Sequence, residues 1–165
     1  MNNQILSHEK IEKILKRIAF QVVENNFHES QLCLVGITGQ GYQMAIRLKE
    51  LISTINSSMS VEIFELFIDK GKPERKDIKL SADSERLVDQ VVIVVDDVMN
   101  TGRTQAYALG FMLQHSLKKV ETVVLVNRQH TNFPIAATYS GIALSTTLDE
   151  HIEVKLENEV GAYLY

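Results

Sequence analysis

The chain has no tryptophan, a single cysteine and two prolines in 165 residues, and it carries no excess of positive charge: its formal net charge is -4. Each shortage excludes something. One cysteine, Cys33, cannot close an intramolecular disulfide, so a reducing, cytoplasmic setting is expected. Cysteine and histidine never fall at metal-ligand spacing, which argues against a structural zinc site. The acidic balance weighs against a broad nucleic-acid surface, which needs clustered lysine and arginine. No unbroken apolar run is long enough to cross a bilayer, and the polar first ten residues hold no apolar signal core, so no membrane association is expected. The apolar share of 45% is ordinary and, at this length, gives one domain over residues 1–165 with a substantial core.

Periodicity supplies the architecture. Ser7 is placed to cap a helix whose Ile11, Leu15, Ile18 and Val22 share one face. "LCLVGI" (32–37) reads as a buried strand closed by the loop "TGQG", and residues 42–55 return to helical spacing through Met44, Leu48 and Leu51. "VEIFELFI" (61–68) alternates as a strand. Residues 69–90 are heavily charged, contain Gly71 and Pro73, and lack a sustained apolar face; a loop of that length is commonly a lid. A buried strand at 91–95, a helix over 104–117 and a strand at 120–127 follow. Three short strand-like pieces, 138–143, 151–156 and 162–165, close the chain. Strand-helix-strand, given twice, predicts an α/β fold with a mostly parallel central sheet flanked by helices.

Ligands of such sheets bind beyond the carboxyl ends of the strands. Three strand ends here lead into suggestive loops: Thr38-Gly39-Gln40-Gly41, residues 96–104, and Asn127-Arg128-Gln129-His130. The most informative is "VVIVVDDVMNTGRT" (91–104). An apolar strand ends in two carboxylates, then a small-residue loop opens a helix. Free N–H groups and the positive end of the helix dipole favour a phosphate there. Thr101 and Thr104 add hydroxyls, Gly102 permits a tight path, and Arg103 adds charge. Asp96 and Asp97 repel that phosphate and call for hydroxyls or a cation. A ribose 5-phosphate with Mg²⁺ satisfies both halves. The segment lacks Walker A spacing, and Met44 occupies the third glycine position of a dinucleotide fingerprint after Gly39 and Gly41. The plain alternative for the acidic pair is a solvated turn with a helix cap. Tyr107 and Phe111, four apart, suit core or dimer packing, and His130 is a further loop candidate.

The same segment closely resembles the phosphoribosyl-diphosphate (PRPP) signature of type I phosphoribosyltransferases. "RIAFQVVENN", "LVGITGQGYQMAIRL" and "LVNRQHTNFPIAATYSG" extend the resemblance, nearly full length, to the PyrR-like group. Its members are uracil phosphoribosyltransferases, and some also regulate pyrimidine genes by binding RNA. The resemblance implies the type I phosphoribosyltransferase fold with a flexible hood at about 69–86. It implies that Asp96 and Asp97 are catalytic and hold the ribose hydroxyls. Met99, Asn100, Thr101, Gly102, Arg103 and Thr104 would cradle the 5-phosphate. Thr38, Gly39, Gln40 and Gly41 would meet the diphosphate, and Val126, Asn127 and Arg128 the nucleobase. Mg²⁺ would come with PRPP, Asp96 and Asp97 being the candidate protein ligands, and a homodimer or larger homo-oligomer is expected.

The chain departs from the group's pattern in three places. "TGQG" lacks the usual lysine or arginine, and Phe67-Ile68-Asp69 lacks the arginine of the group's Tyr-Arg-Asp; Lys70, Lys72 and Arg75 are the candidates to restore charge. Phe20, Asn25, Thr131 and Ala136 stand where RNA-binding members carry basic or histidine residues, which weighs against RNA. Asn100 stands where purine-specific relatives often place an aspartate, and an amide cannot act as a general base. The reading is therefore a pyrimidine, uracil-type transferase, with a PRPP- or nucleotide-sensing module of the same fold as the alternative.

Overall fold

Residues 3–165 are described by a computed structural model. The strands are β1 (Asn3–Ser7), β2 (Gln31–Ile37), β3 (Ser60–Phe67), β4 (Lys79–Leu80), β5 (Val91–Met99), β6 (Lys119–Asn127), β7 (Tyr139–Ala143), β8 (Ile152–Lys155) and β9 (Gly161–Leu164). The helices are α1 (His8–Asn25), α2 (Gln40–Ile55) and α3 (Arg103–Met112). Six strands form the central sheet in the order β4-β3-β2-β5-β6-β7. All its pairings are parallel except the edge strand β4, which runs antiparallel to β3.

Both faces of the sheet are covered, which explains why its central strands read as continuous apolar runs. Strand alternation divides them between two cores. Leu32, Leu34, Val91 and Ile93 face one core with α1 and α2; Cys33, Val35, Val92 and Val94 face the other with Ala108 and Met112 of α3. The predicted stripe of α1 is wholly buried: Ile11, Leu15, Ile18 and Val22. Each such side chain contributes about 1.5–3 kcal/mol. Ser7 caps the helix, its hydroxyl accepting from the Lys10 N–H at 3.3 Å.

Connections from neighbouring β2 and β5 leave in opposite directions, β2 toward β3 and β5 toward β6. The fold therefore has its topological switch point between them, the usual place for a ligand crevice.

Three features differ from expectation. The amino terminus forms β1, which pairs with β9, and β9 with β8, in a separate three-stranded antiparallel sheet. The charged excursion is pinned at its middle. Ile78 and Leu87 are buried in the α3-side core, and Leu80 pairs with Leu66. Two isolated apolar anchors suffice there, although no apolar face is sustained. Helix α3 stops at Met112 rather than continuing to residue 117. The chain instead turns to meet β5's start, with the Asp89 N–H donating to Ser116 O and Lys118 N–H to Gln90 O.

Candidate active site at the carboxyl edge of the sheet

The loops after β2 and β5 meet at the switch point beside a cavity of about 700 Å³. That volume suits a small-molecule ligand. Of the residues singled out from sequence, Asp96, Asp97, the run from Met99 to Thr104, Gln40 and Arg128 line it. Lys70, a candidate cation of the excursion, lines it too, whereas Thr38, Gly39, Gly41, Val126 and Asn127 stand back. Val126 is fully buried in the core. The Asn127 carboxamide oxygen accepts from the Gln129 N–H, and the Thr38 hydroxyl donates to Glu65.

Backbone geometry explains the small residues. Gly102 caps α3 with φ 83°, a left-handed conformation that side chains resist. Thr101 beside it turns its hydroxyl inward to accept from the Arg103 N–H at 3.3 Å. The Thr101 carbonyl accepts from the N–H groups of Asn132 and Phe133, so the loop after β6 braces the loop after β5. Gly41 serves a close approach instead. A Cβ there would lie 2.7 Å from the Val95 carbonyl oxygen and 3.2 Å from Asp96 Oδ1. The first turn of α2 therefore rests directly on the acidic end of β5.

The acidic pair is the electrostatic centre. Asp96 is 1% exposed and Asp97 9%. The Asp96 Oδ1 accepts from the Asp97 N–H at 2.9 Å and from Lys70 Nζ at 2.7 Å, and Asp97 Oδ1 lies 3.1 Å from the same ammonium. Burial pushes the Asp96 carboxyl above its ordinary range; Lys70 opposes the shift, and the neighbouring Asp97 adds to it. For Lys70, burial acts downward, but the two carboxylates outweigh it and hold the ammonium well above its ordinary value.

Arg128, read from sequence as a nucleobase neighbour, is 5% exposed and heavily engaged. Its guanidinium donates to the Thr146 hydroxyl and to the carbonyls of Thr147 and Glu150. His130 Nε2 also meets the Thr146 hydroxyl, at 3.1 Å. These contacts tie the end of β6 to the loop before β8.

Comparison with known proteins agrees with this geometry. Residues 1–157 match the phosphoribosyl transferase domain family. A "Bifunctional protein PyrR" of Fusobacterium nucleatum is 31% identical over 159 residues, covering 93% of this chain and 90% of that protein. One from Haemophilus ducreyi is 30% identical, covering 98% and 93%. The chain is a PyrR-like type I phosphoribosyltransferase.

Solved phosphoribosyltransferases share the fold. A hypoxanthine phosphoribosyltransferase of Trypanosoma cruzi superposes with a TM-score of 0.80 at 14% identity, covering 98% of this chain and 95% of that one. A hypoxanthine-guanine phosphoribosyltransferase of Bacillus anthracis gives 0.78 at 18%, covering 99% and 97%. No helix among the described residues is long and apolar enough to cross a membrane.

Three features of this phosphoribosyltransferase site were not placed by sequence reasoning. Strand β8, from the small second sheet, walls the cavity together with His151 just before it. Lys70 was noted as a spare cation, not as the partner of both aspartates; its position just past the carboxyl end of β3 was the available signal. Gln105 is 1% exposed and lines the cavity, yet its amide nitrogen and oxygen have no hydrogen-bond partner among the described residues. Such a group costs about 1–3 kcal/mol. It lies on the buried stripe with Ala108 and Met112, and a polar residue at that spacing was the signal available in the sequence.

Proposed function

We propose that this chain, acting as a single domain over residues 1–165, transfers the ribose 5-phosphate of PRPP to a pyrimidine base, uracil giving UMP and diphosphate. One observation carries the reading. Two buried carboxylates at the end of β5 and the uncapped amino terminus of α3 line the same cavity, seven residues apart in one segment. That pairing suits a diol and a phosphate held by one ligand. Asp96 and Asp97 would take the ribose hydroxyls, and the loop from Met99 to Thr104 the 5-phosphate. Residues 38–41 would face the diphosphate through backbone amides, and the backbone of Val126, Asn127 and Arg128 would flank the base. Asn100 offers an amide rather than a carboxylate, which favours a pyrimidine over a purine base.

No group of three or more acidic, histidine or cysteine side chains gathers for a metal among the described residues. Mg²⁺ commonly binds through one or two carboxylates together with substrate phosphates, and Asp96 and Asp97 fit that donor set. When bound it would neutralise charge on the leaving diphosphate. The chain's own groups would orient the sugar, and the residues that wall the cavity, Lys70 and Gly71 of the excursion and strand β8, would exclude water from the reacting carbon. A homo-oligomer, expected from the resemblance, belongs to the same proposal.

A second reading is favoured by one specific feature: residues 38–41 carry no cation, and Ile68 stands where the group has arginine. A module that binds PRPP or a nucleotide without turnover would need neither. The test is nucleotide formation from PRPP and Mg²⁺ with uracil, hypoxanthine, guanine, adenine and orotate in parallel, with Asp96→Asn/Asp97→Asn as control. UMP alone, lost in the control, supports the transferase. No product with any base, alongside calorimetric binding of PRPP, supports the sensor; product from a purine alone overturns the base assignment.

A further inference from the structure

The cations around the cavity are few, and most are committed. Arg128 gives its donors to Thr146, Thr147 and Glu150. Lys155 lies 3.8 Å from the Glu153 carboxylate and 5.6 Å from the centre of the Tyr163 ring. Arg103 belongs to the loop after β5. Residues 38–41 contribute none. Lys70 is different, because its partners are the two carboxylates that a ribose would need.

Strand order shows what Lys70 must cross to reach them. It follows β3, which neighbours β2, while Asp96 and Asp97 belong to β5 on the far side of β2. The segment from the end of β3 to the Lys70 ammonium therefore crosses the end of β2, from which the loop 38–41 leaves. That loop is tied to the end of β3: the Thr38 N–H donates to Leu66 O and its hydroxyl to Glu65. Lys70 itself stands in a turn held by the Asp69 carboxylate, which accepts from the Gly71 and Lys72 N–H groups. A lysine ammonium is a compact charge on a flexible four-carbon stem, with three donors that reorient freely. It can release the carboxylates and still reach into the cavity that it lines together with Gln40.

We propose that Lys70 is an exchangeable counter-ion: it bridges the Asp96–Asp97 pair in the free protein and passes to the diphosphate of PRPP when the ribose hydroxyls and Mg²⁺ occupy those carboxyl groups. Lys70 thereby supplies the charge that residues 38–41 lack. This rests on the phosphoribosyl reading above. It makes Lys70 both a competitor for the ribose site and a contact for the leaving group, so its removal has opposite effects on ligands with and without a diphosphate.

The experiment is calorimetric titration of PRPP and, separately, ribose 5-phosphate, both with Mg²⁺, into the full chain and its Lys70→Met and Lys70→Arg variants. Lys70→Met is expected to weaken PRPP about 10-fold or more, the scale of one lost charge-assisted contact. Ribose 5-phosphate is expected to bind that variant as tightly as before or more tightly, which also shows that it folds. Lys70→Arg should recover PRPP binding. Equal weakening of both ligands would overturn the proposal, making Lys70 a structural tie only. Unchanged PRPP binding in Lys70→Met would overturn it too. Failure of the unaltered chain to bind PRPP at all would instead remove the phosphoribosyl reading on which it rests.

Discussion

The loops on either side of the switch point, residues 38–41 after β2 and 100–104 after β5, use one backbone device with different chemistry. Each sets a glycine of positive φ at a helix N-cap, Gly39 at 87° and Gly102 at 83°, and neither helix has a side-chain cap. Both leave N–H groups for an anion. The second adds two threonines, an arginine and the preceding carboxylates. In the first only Gln40 lines the cavity, and its amide oxygen is engaged by the Leu156 N–H at 2.8 Å. The lesson is that the free N–H groups are a property of the backbone alone, whereas the charge around them depends on the side chains each loop and its neighbours carry.

The largest break in the comparison is Asp96→Asn/Asp97→Asn. Removing both carboxylates strips the second loop of what the first never had, and nucleotide formation should fall about 100-fold or more. Unchanged rates would mean that the acidic pair is structural. Next is Gly41→Ala, which drives a Cβ to within 2.7 Å of the Val95 carbonyl oxygen. Crowding of this kind costs about 1–3 kcal/mol, readable as a lowered urea midpoint. A midpoint equal to the parent's would show that α2 does not rest on β5 as described.

A smaller effect concerns pH. Burial holds the Asp96 carboxyl above its ordinary value of 3.8, so the folded chain keeps that proton to higher pH than the unfolded one. Above the ordinary value the unfolded chain therefore binds fewer protons than the folded one, and stability falls as pH rises until the folded chain has released its proton as well. In chelator without ligand, urea midpoints should show this decline, and Asp96→Asn should flatten it. A decline of the same slope in the variant would assign it elsewhere. The smallest expected change is a gain. Gln40→Lys gives the first loop a cation, and PRPP binding should tighten by a few-fold and become more sensitive to salt.

Much of this was legible because the signals were local. The acidic pair and phosphate loop lie in one segment of fourteen residues, and apolar runs marked the central strands of a sheet covered on both faces. What escaped depends on distant pairings. Strand β1 exists through pairing with β9, near the other end of the chain. The β8 wall came through as a strand-like piece without an address. Arg128 was read as a nucleobase neighbour, and its contacts with Thr146, Thr147 and Glu150, eighteen to twenty-two residues away, left no local signal. The excursion looked unanchored because Ile78 and Leu87 are nine residues apart with no periodic face between them. Tertiary contacts, not propensity, decide such elements.

The most direct measurement is calorimetric titration of PRPP with Mg²⁺ into the unaltered chain and into Asp96→Asn/Asp97→Asn. The account predicts one site per chain, lost in the double variant while its thermal unfolding remains cooperative. Binding of equal strength in both would contradict it, because the carboxylates at the end of β5 would then not be what holds the ribose.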